Sequence, residues 1–133
     1  MNVFIGDSKS IGKLNPKVEK VLDRIIRNNH HIILGDCYGA DLAVQRFLSE
    51  RGYRNVRGYT ACGAARNNAG CWAERIIHSE KTGFDAHRQK DIAIINDCDF
   101  GIMIWDGKSK GTLANIKDLK TLRKKVVVFY ENI

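Results

Sequence analysis

Short apolar runs alternate along the chain with segments in which apolar side chains recur at helical spacing. Runs of strand length lie at residues 3–5, 32–34, 56–59, 100–105 and 126–130. Strands that alternate with amphipathic helices are typical of βαβ units, in which the strands pair in parallel. The sequence therefore predicts an α/β fold: a Rossmann-like, doubly wound, mostly parallel sheet of five strands with helices on both faces.

Cap residues mark the ends of two predicted helices. Asn15 and Pro16 precede apolar positions at helical spacing, and these residue types are preferred at the N-cap and first helical position. Gly52 follows the second helical segment, where a glycine commonly occupies the C′ position.

The alternation of strand and helix patterns is weakest at residues 60–85, which are rich in alanine, glycine and asparagine. A segment of this length between strands usually carries function or mobility. Apolar side chains within residues 72–77 predict a short helix that ends at Gly83. In the helix that follows, Ile92 and Ile95 are expected to face the core.

Length and charge narrow the class of protein. The chain has 133 residues, which predicts a single domain, and its 22 Lys and Arg against 15 Asp and Glu give a net charge of +7. This excess favours anionic partners, from a nucleotide to a nucleic acid. The sequence has neither a long apolar stretch nor a signal-peptide pattern, so we expect no membrane association and a cytoplasmic location.

The four cysteines are widely spaced and form no C-x-x-C pair. This arrangement favours reduced thiols over a disulfide framework. Zinc binding by Cys62, Cys71 and His78 is disfavoured, because structural zinc sites usually contain close pairs of ligands. We therefore expect no metal.

Three polar turns directly follow predicted strands. They lie at residues 6–10 (GDSKS), 35–39 (GDCYG) and 106–112 (DGKSKGT). The carboxyl ends of parallel strands share one edge of the sheet, where ligands of doubly wound folds bind. The third turn opens into a helix and combines glycines, lysines and hydroxyls, so we interpret it as a phosphate-binding loop. It lacks the Walker A order, and a tight turn capped by Thr112 is the simpler alternative.

Two motifs resemble those of the SLOG superfamily. They are G-D-x-x-G-A-D at residues 35–41 and W-D-G-K-S-K-G-T at residues 105–112, with Arg88 upstream in a helix. The superfamily includes DprA-type DNA-processing proteins and the Lonely Guy phosphoribohydrolases. The resemblance covers nearly the whole chain and is weakest at residues 60–85. It implies one Rossmann-like domain, residues 1–133, that binds a nucleotide or a nucleotide-derived ligand.

The resemblance and the polar turns together identify the candidate ligand-binding residues. They are Gly6, Ser8, Lys9, Gly35, Asp36, Gly39, Asp41, Arg88, Asp106, Gly107, Lys108, Ser109, Lys110, Gly111 and Thr112. No separate cofactor is expected.

Asn115 departs from the pattern of the phosphoribohydrolases, which carry a glutamate three residues after the glycine–threonine pair. An amide cannot act as a general base or stabilise a developing oxocarbenium ion. An enzyme acting on the N-glycosidic bond of nucleoside monophosphates, as a phosphoribohydrolase or deoxyribosyltransferase does, would therefore need Asp36 or Asp106 as its catalytic carboxylate. This enzyme is one alternative to a ligand-binding domain.

The second alternative is a single-stranded DNA binder of the DprA kind, which would use the basic surface. It is secondary here, because the basic stretches carry few interleaved aromatic residues beyond Tyr38 and Tyr59. A homo-oligomer is compatible with each of these hypotheses.

Overall fold

A computed structural model describes residues 1–131, which form six strands and four helices. The strands are β1 (Asn2–Asp7), β2 (His31–Leu34), β3 (Val56–Ala61), β4 (Ala73–Ile77), β5 (Phe100–Trp105) and β6 (Lys125–Tyr130). The helices are α1 (Pro16–Arg27), α2 (Ala40–Glu50), α3 (Gly83–Asp97) and α4 (Lys110–Thr121).

All six strands belong to one parallel sheet in the order β4-β3-β2-β1-β5-β6. The chain moves outward from β1 to β4 and then returns to the other side of β1, so the strand order reverses next to β1. This arrangement confirms the predicted Rossmann-like, doubly wound α/β fold. The β5 strand lies between β1 and β6, and its four inner residues are buried.

The sheet separates two hydrophobic cores. On one face, Val18 of α1 and Val44 of α2 pack in a cluster with Ile5. On the other face, Ile94 of α3 and Ile116 of α4 belong to a second cluster. The helices thus cover both faces, because the first two crossovers and the last two run in opposite directions across the sheet.

The predicted caps agree with the structure. The Asn15 side chain accepts hydrogen bonds from Lys17 N at 2.7 Å and Val18 N at 3.2 Å, and Pro16 is the first residue of α1. Gly52 lies just beyond the cap of α2 with a φ of 65°, in the left-handed region that favours glycine.

Three sequence-based expectations are wrong. Residues 73–77 form the edge strand β4 rather than a helix, so the sheet has six strands instead of five. Gly83 begins α3 rather than ending an earlier helix. Ile92 is 39% exposed, and the inward positions of α3 include Lys90 and Asp91.

Within the described chain, no helix is long and apolar enough to cross a membrane.

Candidate functional site

The three polar turns meet at the carboxyl edge of the sheet. The turn after β1 contacts the turn after β2 through a hydrogen bond from Ala40 N to Ser8 O, at 3.1 Å. It contacts the start of α4 through the Ser8 and Thr112 hydroxyls, whose oxygens are 3.1 Å apart. Ser8 and Thr112 are both fully buried, so this pair joins the turns from inside.

The turn after β5 is organised by Asp106. Its carboxylate accepts hydrogen bonds from Lys108 N and Ser109 N, each at 2.8 Å, and from the Ser10 hydroxyl at 2.5 Å. The hydrogen bond from Ser10, with those backbone amides, lowers the pKa of Asp106. Asp106 therefore folds the loop, and it occupies two backbone donors that an anion would otherwise meet.

Two other backbone amides remain available at the start of α4. The Ser109 side chain caps the helix by accepting from Thr112 N at 3.4 Å. Within residues 1–131, the amides of Lys110 and Gly111 have no hydrogen-bond partner, as is usual for the first turn of a helix. These two donors lie at the positive end of the helix dipole.

Three of the predicted glycines serve close packing. A Cβ at Gly35 would lie 2.7 Å from Asp41 Oδ2, and one at Gly6 would lie 3.2 Å from Asp41 Oδ1. Gly39 has a φ of 83°, and a Cβ there would lie only 2.2 Å from the backbone carbonyl oxygen of Lys9. These glycines bring the turns together and leave room for the buried Asp41 carboxylate.

Asp36 anchors the long segment between β3 and β4. Its carboxylate accepts from the Arg66 guanidinium at 2.9 and 3.3 Å and from Arg66 N at 3.0 Å. Burial alone would raise the pKa of Asp36, but the hydrogen bonds from Arg66 lower it below its ordinary value. The side chain of Asp36 is 4% exposed, so this catalytic candidate is an ion-paired, buried carboxylate.

A buried charge cluster lies beneath the turns, formed by Asp7, Asp41, Lys90, Asp91 and Asn115. Lys90 Nζ lies 3.5 Å from Asp91 Oδ1 and is 3% exposed. Burial would lower the pKa of Lys90, but the surrounding carboxylates, that of Asp91 above all, raise it.

Asn115 links the members of this cluster to Arg88. Its amide nitrogen donates to Asp7 Oδ2 at 2.5 Å and to Asp91 Oδ2 at 3.1 Å, and its oxygen accepts from Arg88 at 2.6 Å. Arg88 also pairs with Asp118 at 2.5 Å. Asn115 is fully buried, and its side-chain amide hydrogen-bonds two carboxylates and one guanidinium at once.

Two carboxylates of this cluster, those of Asp7 and Asp41, have raised pKa values. Burial, followed by repulsion from Asp91, raises the pKa of Asp7 to about 7. Burial and then repulsion from Asp7 raise the pKa of Asp41 well above its ordinary range, and Asp41 Oδ1 has no hydrogen-bond partner within residues 1–131. Lys90, together with Arg88 at 3.7 Å from Asp91 Oδ2, does not fully balance the three neighbouring carboxylates of Asp7, Asp41 and Asp91.

A cavity of about 520 Å³ opens above the cluster, between the start of α3 and the start of α4. Its lining contains five of the predicted ligand residues: Lys9, Arg88, Ser109, Lys110 and Gly111. The other predicted residues lie outside the lining: Gly6, Ser8, Gly35, Asp36, Gly39, Asp41, Asp106, Gly107, Lys108 and Thr112. The volume is within the usual range for small-ligand pockets.

Sequence reasoning missed the other half of the cavity. Its lining also contains Asp7, Phe84, His87, Lys90 and Asp91. Burial lowers the pKa of the His87 imidazole, and Phe84 is 59% exposed at the start of α3. The sequence did carry one signal for this region: Lys90 and Asp91 occupy core-facing positions of α3, where apolar residues are the norm.

No three His, Cys, Asp or Glu side chains of residues 1–131 come together in a way that could hold a metal ion. Cys62 and Cys71 are exposed, whereas Cys37 and Cys98 are buried.

No protein-family model matches the chain, and no curated protein matches it by sequence. A solved structure does match: the DNA processing protein A from Helicobacter pylori, described for its single-stranded DNA binding mode. The alignment has a TM-score of 0.73 and 14% identity. It covers all of this chain and 66% of the other. The likeness establishes the fold.

Proposed function

We propose that this chain is a SLOG-type domain whose carboxyl-edge cavity binds a nucleotide or nucleotide-derived ligand. The observation that carries the proposal is the juxtaposition of unpaired amides, lysines and an exposed aromatic ring around one cavity. Support also comes from the fold, since ligands of doubly wound sheets bind beyond the carboxyl ends of the strands, where the strand order reverses.

The phosphate end of the ligand would lie at the start of α4. The amides of Lys110 and Gly111 and the ammonium groups of Lys9 and Lys110 provide donors of the kind that bind phosphate. Gly111 has no positive φ, and a Cβ there would meet no atom within 4 Å. The fold therefore does not require a glycine at this position, whereas a ligand that approaches the backbone closely would.

The base and sugar would lie toward α3. The exposed ring of Phe84 offers an apolar face on which a base can stack. Asp7 and Asp91 line the same cavity, and their oxygens suit sugar hydroxyls or exocyclic amino groups as hydrogen-bond partners. The cavity thus combines a cationic end with an aromatic and carboxylate end.

Calorimetric titration with a panel of nucleoside monophosphates tests this proposal. Lys110→Glu and Gly111→Val should each weaken binding at least about tenfold, because they place repulsion or bulk at the phosphate position. Lys108→Glu is a matched control. Lys108 is exposed, like Lys110, and belongs to the same turn, but it lies outside the cavity lining. Wild-type affinity in both test variants, or an equal loss in all three, would contradict the proposed phosphate position.

Single-stranded DNA is a second candidate ligand for the same edge. The structural neighbour from Helicobacter pylori is described as binding single-stranded DNA, and Tyr38 and Phe84 are exposed by 62% and 59% next to basic turns. Aromatic rings flanked by lysines suit stacked bases and their phosphates. A salt titration with oligonucleotides of increasing length distinguishes the candidates: tight, length-dependent binding at physiological salt favours DNA, whereas binding that vanishes there favours the small ligand.

A further inference from the structure

The two edges of the sheet differ in chemistry. The β4 edge carries charged residues in its middle, Glu74 and Arg75, and charges of this kind protect an edge from pairing with another strand. The β6 edge begins with Lys125 and continues with five apolar residues, VVVFY. Within residues 1–131, nothing pairs with the outer side of β6.

The register of β6 shows which of its backbone groups face outward. Glu131 N donates to Trp105 O at 2.9 Å, so Glu131 and the alternate residues before it direct their backbone groups toward β5. Val126, Val128 and Tyr130 therefore direct their N–H and C=O groups away from the sheet. These groups form a ready template for one more strand.

We propose that β6 pairs antiparallel with β6 of a second copy of the chain, around a two-fold axis at Val128. Val128 would lie opposite Val128 of the second copy, and Val126 opposite Tyr130 of the second copy. Each of these pairs can exchange both backbone hydrogen bonds, because all of the groups involved face outward. An isologous contact of this type closes on itself and joins two sheets into one.

Charge complementarity supports this partner and this register. Lys125 would lie opposite Glu131 of the second copy, and the symmetry repeats the pair at the other end of the interface. Lys124 adds little repulsion between the two copies, because its ammonium is held at the end of α3. There it donates to Ile95 O at 2.6 Å and to Asn96 O at 3.0 Å. Between the ion pairs, Val127, which is 36% exposed, would meet Phe129 of the second copy.

A neighbouring register keeps less of this complementarity within the paired strands. With the axis at Val127, Lys125 would lie opposite Phe129 of the second copy, and Glu131 would extend beyond the strand of that copy, next to the turn that contains Arg123. The register at Val128 is thus the one that satisfies both the outward backbone groups and the charges of β6.

Sedimentation equilibrium of the full chain over a wide concentration range tests the proposal. The wild type should dimerise. Val128→Pro should abolish the dimer, because proline removes an outward N–H that makes no bond to β5. Lys125→Glu should weaken the dimer roughly tenfold or more, since both ion pairs become repulsive contacts. Combining it with Glu131→Lys should restore the dimer.

Lys20→Glu is the matched control, because it makes the same charge change at an exposed position of α1. It should leave the dimer unchanged. A wild type that stays monomeric would overturn the proposal. A dimer that tolerates both Val128→Pro and Lys125→Glu, or a charge swap that fails to restore association, would also overturn it. Should Val128→Pro fail to fold, the surface charge variants still decide the question.

Discussion

Replacing Asp7 with asparagine should remove a large part of the pH dependence of folding. Burial and the nearby Asp91 raise the pKa of Asp7 from 3.8 to about 7. The folded chain therefore keeps a proton that the unfolded chain releases. The stability that this proton contributes is fully present below about pH 4 and is lost as the pH rises to about 7. Above that pH the buried carboxylate is charged and destabilises the fold.

The size of the effect follows from this difference in pKa. A change from 3.8 to about 7 corresponds to at most about 4 kcal/mol, at 1.36 kcal/mol per unit. Asp7 lines the open cavity and is only partly buried, so solvent screening reduces this figure. Asparagine keeps the size of the side chain and carries no charge. Asp7→Asn should therefore be more stable than the wild type at pH 8, and the gain should shrink toward pH 5.

Urea unfolding at the two pH values measures this difference directly. His87 acts in the opposite sense, because burial lowers its pKa and its contribution to stability is lost as the pH falls. It is present in both proteins, so the comparison largely cancels it. Asp85→Asn, at an exposed position of α3, should keep the wild-type profile. An equal change in stability at pH 5 and pH 8 for Asp7→Asn would refute this reasoning.

Three further experiments examine the same edge of the sheet. Gly39→Ala should lower the free energy of unfolding, measured in urea, by about 2–4 kcal/mol, because its Cβ would overlap a backbone carbonyl. Gly52→Ala should lower it by only about 1 kcal/mol, because a Cβ at Gly52 meets no atom within 4 Å. Asn115→Glu should destabilise the fold by about 3 kcal/mol at neutral pH, because it places a third carboxylate between two others; wild-type stability would contradict the cluster. Nucleoside monophosphates should survive long incubation when followed by chromatography, and release of free base that is abolished by Asp36→Asn or Asp106→Asn would establish the enzyme instead.

The fold was largely predictable because buried parallel strands are continuous apolar runs. The β5 sequence, FGIMIW, illustrates this pattern. The β4 sequence, AERII, does not, since four of its five residues are exposed at the sheet edge and no core selects an apolar run there. The inward face of α3 was hard to predict for the opposite reason: it carries Lys90 and Asp91, which interrupt the apolar periodicity.

The candidate site was predictable only in part. Local signals of glycine, hydroxyl and lysine located the start of α4, and Lys110 and Gly111 do line the cavity. The pairing of charges is not local, however. Asp36 binds Arg66, which lies 30 residues away, and Asn115 binds Asp7, which lies 108 residues away. A sequence shows which charges exist but not which of them neutralise each other, so Asp36 and Arg66 could not be recognised as partners.

The position of β1 in the sheet has a consequence for how the chain is made. Of the six strands, β1 is synthesised first, yet Val3 pairs with Ile32 of β2 on one side and with Phe100 of β5 on the other. The ribosome must therefore synthesise the chain as far as β5 before β1 has both of its neighbours. Until then, one edge of the apolar β1 strand has no partner, and the long sequence separation between β1 and β5 should make folding slow for a chain of this size.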